Sequence, residues 1–331
     1  MPVTRRTRTL TFASVTLAAA LGLAGCAGTA EPAATTAAAA ATSVTVTDNH
    51  GEQTVALPPQ RVVATDNRTI SVLDAWGIDV VAAPLDIFPA GLSYKEDGST
   101  TINLGNHGEP NLEAVVAANP DLIVNGQRFA SYYGDFQTLV PDATIVELDP
   151  REGEAFDDEL KRQVTVLGEI FDKKDEAAKL VADFDASIGR VKKAYDGEAP
   201  VMAVITSGGE INYAAPTTGR TLGPVFDILG LEPALASDGS GDHQGDDISV
   251  EAIAASNPEW ILVMDRDAGV SENTHETYKP ANDLISSSEA LNNVPAVTKG
   301  HVVYMPASTY LDEGIVTYTT FFNSLADALE S

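Results

Sequence analysis

Residues 111–128 read NLEAVVAANPDLIVNGQR, and residues 249–266 read SVEAIAASNPEWILVMDR, an ungapped self-match at an offset of 138 positions. Seven of the eighteen positions are identical, among them Glu113 with Glu251, Asn119-Pro120 with Asn257-Pro258, and Arg128 with Arg266. A chain that repeats a unit of this kind across such a distance builds two similar bodies. Each copy reads as an amphipathic helix, an Asn-Pro turn, a short continuous apolar run and an arginine just past it. Apolar runs of four or five residues between helices are the signature of mostly parallel strands covered on both faces. Ligands of open α/β sheets bind beyond the carboxyl ends of the strands. The repeat therefore predicts two arginines, Arg128 and Arg266, facing a shared cleft, one from each lobe. A surface ion pair in an acidic protein is the competing reading of either arginine taken alone. Glu113 and Glu251 fall in the first turn of their helices, where an acid also complements the helix dipole.

The rest of the chain fits the same plan. Residues 43–57 alternate apolar and polar around Asn49-His50-Gly51, an opening β-hairpin. Apolar runs at 61–64, 80–83, 122–124 and 144–148 are strands of a first block, and those at 202–205, 260–264 and 301–304 of a second. Between the blocks, Leu160, Val164, Leu167 and Phe171 share one helical face, and Ala177, Leu180, Val181, Phe184, Ile188 and Val191 form a second stripe. Gly168 and Asp172 mark a break between two helices, of which the second is long enough to run from lobe to lobe. The fold class is thus α/β: two similar lobes, each with a mostly parallel sheet, joined by a long connecting helix with the ligand cleft between them. The lobes span 43–155 and 199–331, and the connector 156–198.

Ahead of this body, Arg5, Arg6 and Arg8 precede an apolar stretch, Leu10 to Leu23, and then Leu23-Ala24-Gly25-Cys26. That is a secretory signal, too short and wrongly flanked for a stable membrane span. A cysteine after small residues at the cleavage point resembles the bacterial lipobox, in which Cys26 would be lipidated. Residues 1–25 are then the signal peptide. Residues 26–42, Ala/Thr-rich without apolar periodicity, are the lipidated cysteine and a flexible tether. This implies a protein held on the cell membrane, on its extracytoplasmic face. One cysteine excludes a disulfide framework, and a net charge of −28 repels nucleic acid.

The lipobox, the two E-A-x-x-A-x-N-P units and the connecting helix resemble the iron-siderophore and cobalamin class of periplasmic binding proteins, partners of ABC importers, over residues 44–329. Four stretches carry a nearer resemblance to catecholate-siderophore binding lipoproteins: VVATDNRTISVLDAWGI (62–78), EPNLEAVVAANPDLIVNGQR (109–128), GRTLGPVFDILGL (219–231) and DHQGDDISVEAIAASNPEWILVMDRD (242–267). The resemblance implies a monomeric, non-enzymatic binding protein that captures a ferric siderophore and delivers it to a permease dimer. It implies three pocket arginines (Arg128, Arg220 and Arg266), a histidine and a tyrosine able to complete the iron shell (His243 and Tyr310), and permease docking through Glu113 and Glu251. No cofactor is implied beyond lipid on Cys26 and the ferric cargo.

These residue types suit that cargo. Guanidinium stays charged, forks its donors toward oxygen and stacks on aromatic rings, while ferric iron accepts phenolate and imidazole. Haem, cobalamin or a ferric hydroxamate on the same fold are the alternatives, and a hydrolase or a surface adhesin the remote ones. The sequence has no nucleophile elbow, Walker loop, glycine fingerprint or HExxH.

Overall fold

The computed structural model describes residues 41–274 and 278–331; the signal segment, Cys26 and nearly all of the tether lie outside the described residues. Strands β1 (Ser43–Asp48) and β2 (Gly51–Ala56) pair as the expected hairpin. The N-terminal sheet contains β3 (Val62–Ala64), β4 (Val80–Ala83), β5 (Ile102–Asn103), β6 (Leu122–Asn125) and β7 (Thr144–Glu147), in the order β5-β4-β3-β6-β7 and parallel throughout. The C-terminal sheet contains β8 (Val201–Ser207), β9 (Glu210–Tyr213), β10 (Trp260–Asp265) and β11 (Val302–Tyr304), in the order β11-β10-β8-β9. β8, β10 and β11 are parallel, and β9 returns antiparallel beside β8.

Both faces of each sheet are covered, which is why their strands read as unbroken apolar runs rather than alternations. Val62, Ala64, Leu122 and Val124 enter one core while Val63, Ile123 and Ile145 enter another on the opposite face. In the second sheet Ala203, Ile205, Leu262 and Met264 face one way, and Met202, Val204, Ile261 and Val263 the other. The two-residue edge strand β5 and the edge strand β9 carry no such run and escape the sequence reading.

The repeat is structural as well. Helices Leu112–Ala118 and Val250–Ala255 are each N-capped by a side chain: Asn111 accepts from the Ala114 N–H and Ser249 from the Ala252 N–H. The matched asparagines end both units in the left-handed region, with φ of 47° at Asn119 and 52° at Asn257. The following prolines then turn the chain into β6 and β10.

The connector differs from expectation in one respect. The helix that enters both cores is the first, Phe156–Ile170: Leu160 and Val164 pack in the C-terminal core, Leu167 and Ile170 in the N-terminal one. Its Arg162 and Gln163 side chains donate to the Leu148 carbonyl at 3.3 and 2.9 Å, fixing the helix to the end of β7. The second helix, Lys174–Ala194, has 21 residues, about 31 Å of length, yet it buries Phe184, Ile188 and Val191 in the C-terminal core alone, beside Phe322 of the last helix, Ile315–Glu330. Between them the chain reverses at Asp172 (φ 54°), and a Cβ on Gly168 would come within 2.7 Å of the Ala177 Cβ, so only glycine admits so close a return.

Candidate functional site

The sheet order reverses direction between β3 and β6, the switch point where a crevice opens beyond the carboxyl ends of the strands. Thr65 to Arg68 follow β3 there, and Gln127 and Arg128 follow β6. From the other lobe come Ser207 at the end of β8, Arg266 after β10, the Gly219-Arg220-Thr221 loop, and the segment 309–314 between β11 and the last helix.

The three arginines meet at one aromatic ring. The guanidinium carbons of Arg128, Arg220 and Arg266 lie 4.6, 5.2 and 4.8 Å from the centroid of Tyr310, a side chain only 7% exposed. Arg128 Nη2 also donates to the Tyr310 carbonyl at 3.0 Å. Three of the sequence-predicted site residues and the predicted tyrosine are thus brought together, from four segments and both lobes. Cation–π geometry of this kind is worth about 0.5–2 kcal/mol per pair.

Several residues of the crevice had no place in the sequence reading. Glu313, buried, accepts from Arg220 Nε at 3.0 Å and Nη2 at 3.1 Å, from Thr221 at 2.6 Å and from Gln127 Nε2 at 3.2 Å. Arg68 reaches it at 3.7 Å while holding Asp149 at 2.6 Å. Burial alone would raise the Glu313 carboxyl, but Arg220, Arg68 and the Thr221 hydroxyl outweigh it and hold its pKa at about 2. The same pairing puts Arg220 above the ordinary arginine value despite its burial. Arg128, which has no carboxylate partner among the described residues, is lowered by burial and by the neighbouring guanidiniums.

His243 lies on an exposed loop with Nδ1 3.9 Å from the Asp242 carboxylate, and no contact with Tyr310 or the arginines is found for it among the described residues. It belongs to the same neighbourhood nonetheless. A second histidine, His107, has its pKa lowered by burial and then by the charges of Arg128, Arg220 and His243, and its carbonyl is held by the Tyr132 hydroxyl at 2.8 Å. A histidine precedes each copy of the repeat, His107 before Glu113 and His243 before Glu251, so extending the self-match with a two-residue gap exposes the first from sequence. Glu113 and Glu251 are both exposed in first helical turns. Each helix precedes a parallel strand, so these turns lie toward the strands' carboxyl ends, the edge on which the crevice opens. Among the described residues no group of three or more His, Cys, Asp or Glu is placed to cage a metal ion, and no helix is long and apolar enough to cross a membrane.

Asp66 supplies a pH-dependent term. Oδ1 accepts the Arg68 N–H at 2.9 Å, and Oδ2 is buried without a partner among the described residues. Burial raises its pKa from 3.8 to about 7, opposed by Arg68 and reinforced by Asp149 and Glu147. The folded state therefore keeps a proton that the unfolded chain releases, and stability falls as pH rises from about 4 to about 7. Asp66→Asn is expected to gain about 2 kcal/mol at pH 8 and almost nothing at pH 4. Urea denaturation at the two values measures this, and equal effects at both would contradict it.

A sequence profile for the family described as periplasmic binding protein matches residues 62–309. The petrobactin-binding protein YclQ of Bacillus subtilis is 29% identical over 278 residues, covering 82% of this chain and 83% of its own. The ferric-anguibactin-binding protein FatB of Vibrio anguillarum is 28% identical over 271 residues, 81% of either chain. The crystal structure of YclQ superposes with a TM-score of 0.74 at 27% identity, covering 87% of this chain and 99% of that one. The catecholate-siderophore binding protein VctP from Vibrio cholerae, at 22% identity and a TM-score of 0.72, shares the fold.

Proposed function

The chain belongs to the periplasmic binding protein family, and from that premise we propose that it captures a ferric siderophore of catecholate or mixed catecholate type and delivers it to an ABC permease. The observation that carries this reading is the convergence of Arg128, Arg220 and Arg266 on Tyr310 from both lobes. A ferric catecholate is an anion with aromatic faces, and guanidiniums already arranged around a phenol ring offer it both charge-assisted hydrogen bonds and stacking. A cationic floor inside a chain of net charge −28 also concentrates an anionic ligand at the cleft. Relatives named for petrobactin and ferric anguibactin support the class of cargo.

In this reading Tyr310 and His243 are donors to iron when the siderophore leaves positions open. Glu113 and Glu251, on matched helices of the two lobes, dock a permease dimer. Lipid on Cys26 holds the monomer to the extracytoplasmic face of the cell membrane, with residues 27–42 as the tether.

Titration of intrinsic fluorescence with ferric catecholates, ferric hydroxamates and haem tests the assignment. Quenching by catecholates at submicromolar concentration, weaker in Arg128→Gln and Arg266→Gln, is the expected result; a preference for hydroxamates or haem sinks it. Arg220→Gln stands apart, because it strands Glu313 in the interior with Arg68 at 3.7 Å and is expected to cost stability as well as affinity.

A further inference from the structure

Arginine count alone overstates the charge that this cleft presents. Arg220 is gripped by Glu313 through two hydrogen bonds, and Arg266 is held by Asp267 at 3.1 Å. Arg68, the fourth guanidinium, is taken by Asp149 at 2.6 Å. Four guanidiniums thus share three carboxylates, leaving about one positive charge for a ligand, and Arg128 is the one without a carboxylate among the described residues. Asp66, beside them, is neutral for part of its population near pH 7 because of burial.

Glu313 is the central element of that balance. It is buried in the segment 309–314, one residue from the last helix, and it binds Arg220 and Thr221 on one side and Gln127 and Arg68 on the other. Its partners come from both lobes, so the carboxylate joins them as well as setting the charge between them. A carboxylate there removes positive charge from the floor of the cleft at the point where Arg220 meets Tyr310.

We propose that Glu313 is a specificity-determining residue, which by neutralising Arg220 tunes the cleft to ferric complexes of low negative charge: a bis-catecholate monoanion rather than a tris-catecholate trianion. The inference rests on the siderophore reading above. Iron held by two catecholates keeps two coordination positions open; Tyr310 and His107 adjoin the arginines and His243 adjoins His107, and all three are donors that ferric iron accepts. A trianion bound in this cleft would leave about two negative charges without a counter-charge in a partly desolvated site, which is unfavourable.

The test compares fluorescence titrations of the full chain with two probes, the ferric complex of a linear bis-catecholamide and that of a tripodal tris-catecholamide. The parent is expected to bind the monoanion at least tenfold more tightly, and Glu313→Gln to move that ratio roughly tenfold toward the trianion, as one freed charge at contact distance requires. The double variant Glu313→Gln/Arg220→Gln removes both charges together and is expected to keep the parental ratio, so a selectivity readout survives if the single variant folds poorly. A parent that binds the trianion as tightly as the monoanion, or a ratio unmoved in folded Glu313→Gln, overturns the role given to Glu313. Failure of both ferric complexes to bind at all overturns the siderophore reading itself.

Discussion

Arg128→Glu is expected to lower affinity for a ferric catecholate about a thousandfold while leaving the fold intact. Arg128 is the member of the trio whose charge no described carboxylate consumes. Losing one or two charge-assisted hydrogen bonds costs about 1.5–3 kcal/mol each, and the reversed charge adds repulsion toward an anion in a partly buried site. A total near 4 kcal/mol corresponds to a factor of roughly a thousand. On the structural side, Arg128 contributes one hydrogen bond to the Tyr310 carbonyl and one cation–π contact with its ring, so the stability loss is about 1.5–3 kcal/mol. Fluorescence titration beside a thermal melt separates the two effects. A loss of affinity below tenfold would remove Arg128 from the site.

The largest expected stability effect comes from a single methyl group. Gly314 precedes the last helix and accepts the Tyr318 N–H at 3.2 Å. A Cβ placed on it would overlap the carbonyl oxygen of Arg68 on the other lobe. The obstacle is backbone on both sides, with no flexible side-chain end to give way. Nearby, Ser71 donates to Asp312 at 2.7 Å and Asn67 to the Leu311 carbonyl at 3.3 Å, so parting the lobes here to admit the methyl group would also break these bonds. Gly314→Ala is expected to cost about 3–5 kcal/mol and to lower Tm by roughly 10 °C. Gly134→Ala is the control: it lies in helix Tyr133–Leu139 with nothing near its would-be Cβ, and it is expected to be neutral or mildly stabilising. Circular-dichroism melts decide the matter, and equal melting temperatures for the two variants would refute the close-approach argument.

The self-match made the α/β class and two of the arginines legible, because a helix, a turn asparagine, a buried strand and the residue after it are contiguous in the chain. The strands with unbroken apolar runs were found for the same reason, and β5 and β9 were missed because edge strands need no such run. Helical stripes reveal which residues are buried but not against what. The lobe-to-lobe role accordingly fell on Lys174–Ala194 in the sequence reading, whereas Phe156–Ile170 fills it. The electrostatic balance of the cleft is the least legible part. Arg220 and Glu313 are 93 positions apart, and Gln127 and Glu313 are 186 apart; no local pattern announces a carboxylate that neutralises a cation so distant. Arg68 was inside a stretch already singled out for resemblance, yet its partners Asp149 and Glu313 are what give it meaning.

The helix Phe156–Ile170 donates Leu160 and Val164 to one interior and Leu167 and Ile170 to the other. Losing either interior strips this shared rod of two large aliphatic burials, roughly 3–6 kcal/mol, so each lobe draws part of its stability from the presence of the other. Heat or denaturant is therefore expected to melt both lobes in a single transition, because the rod that each interior grips is the same one.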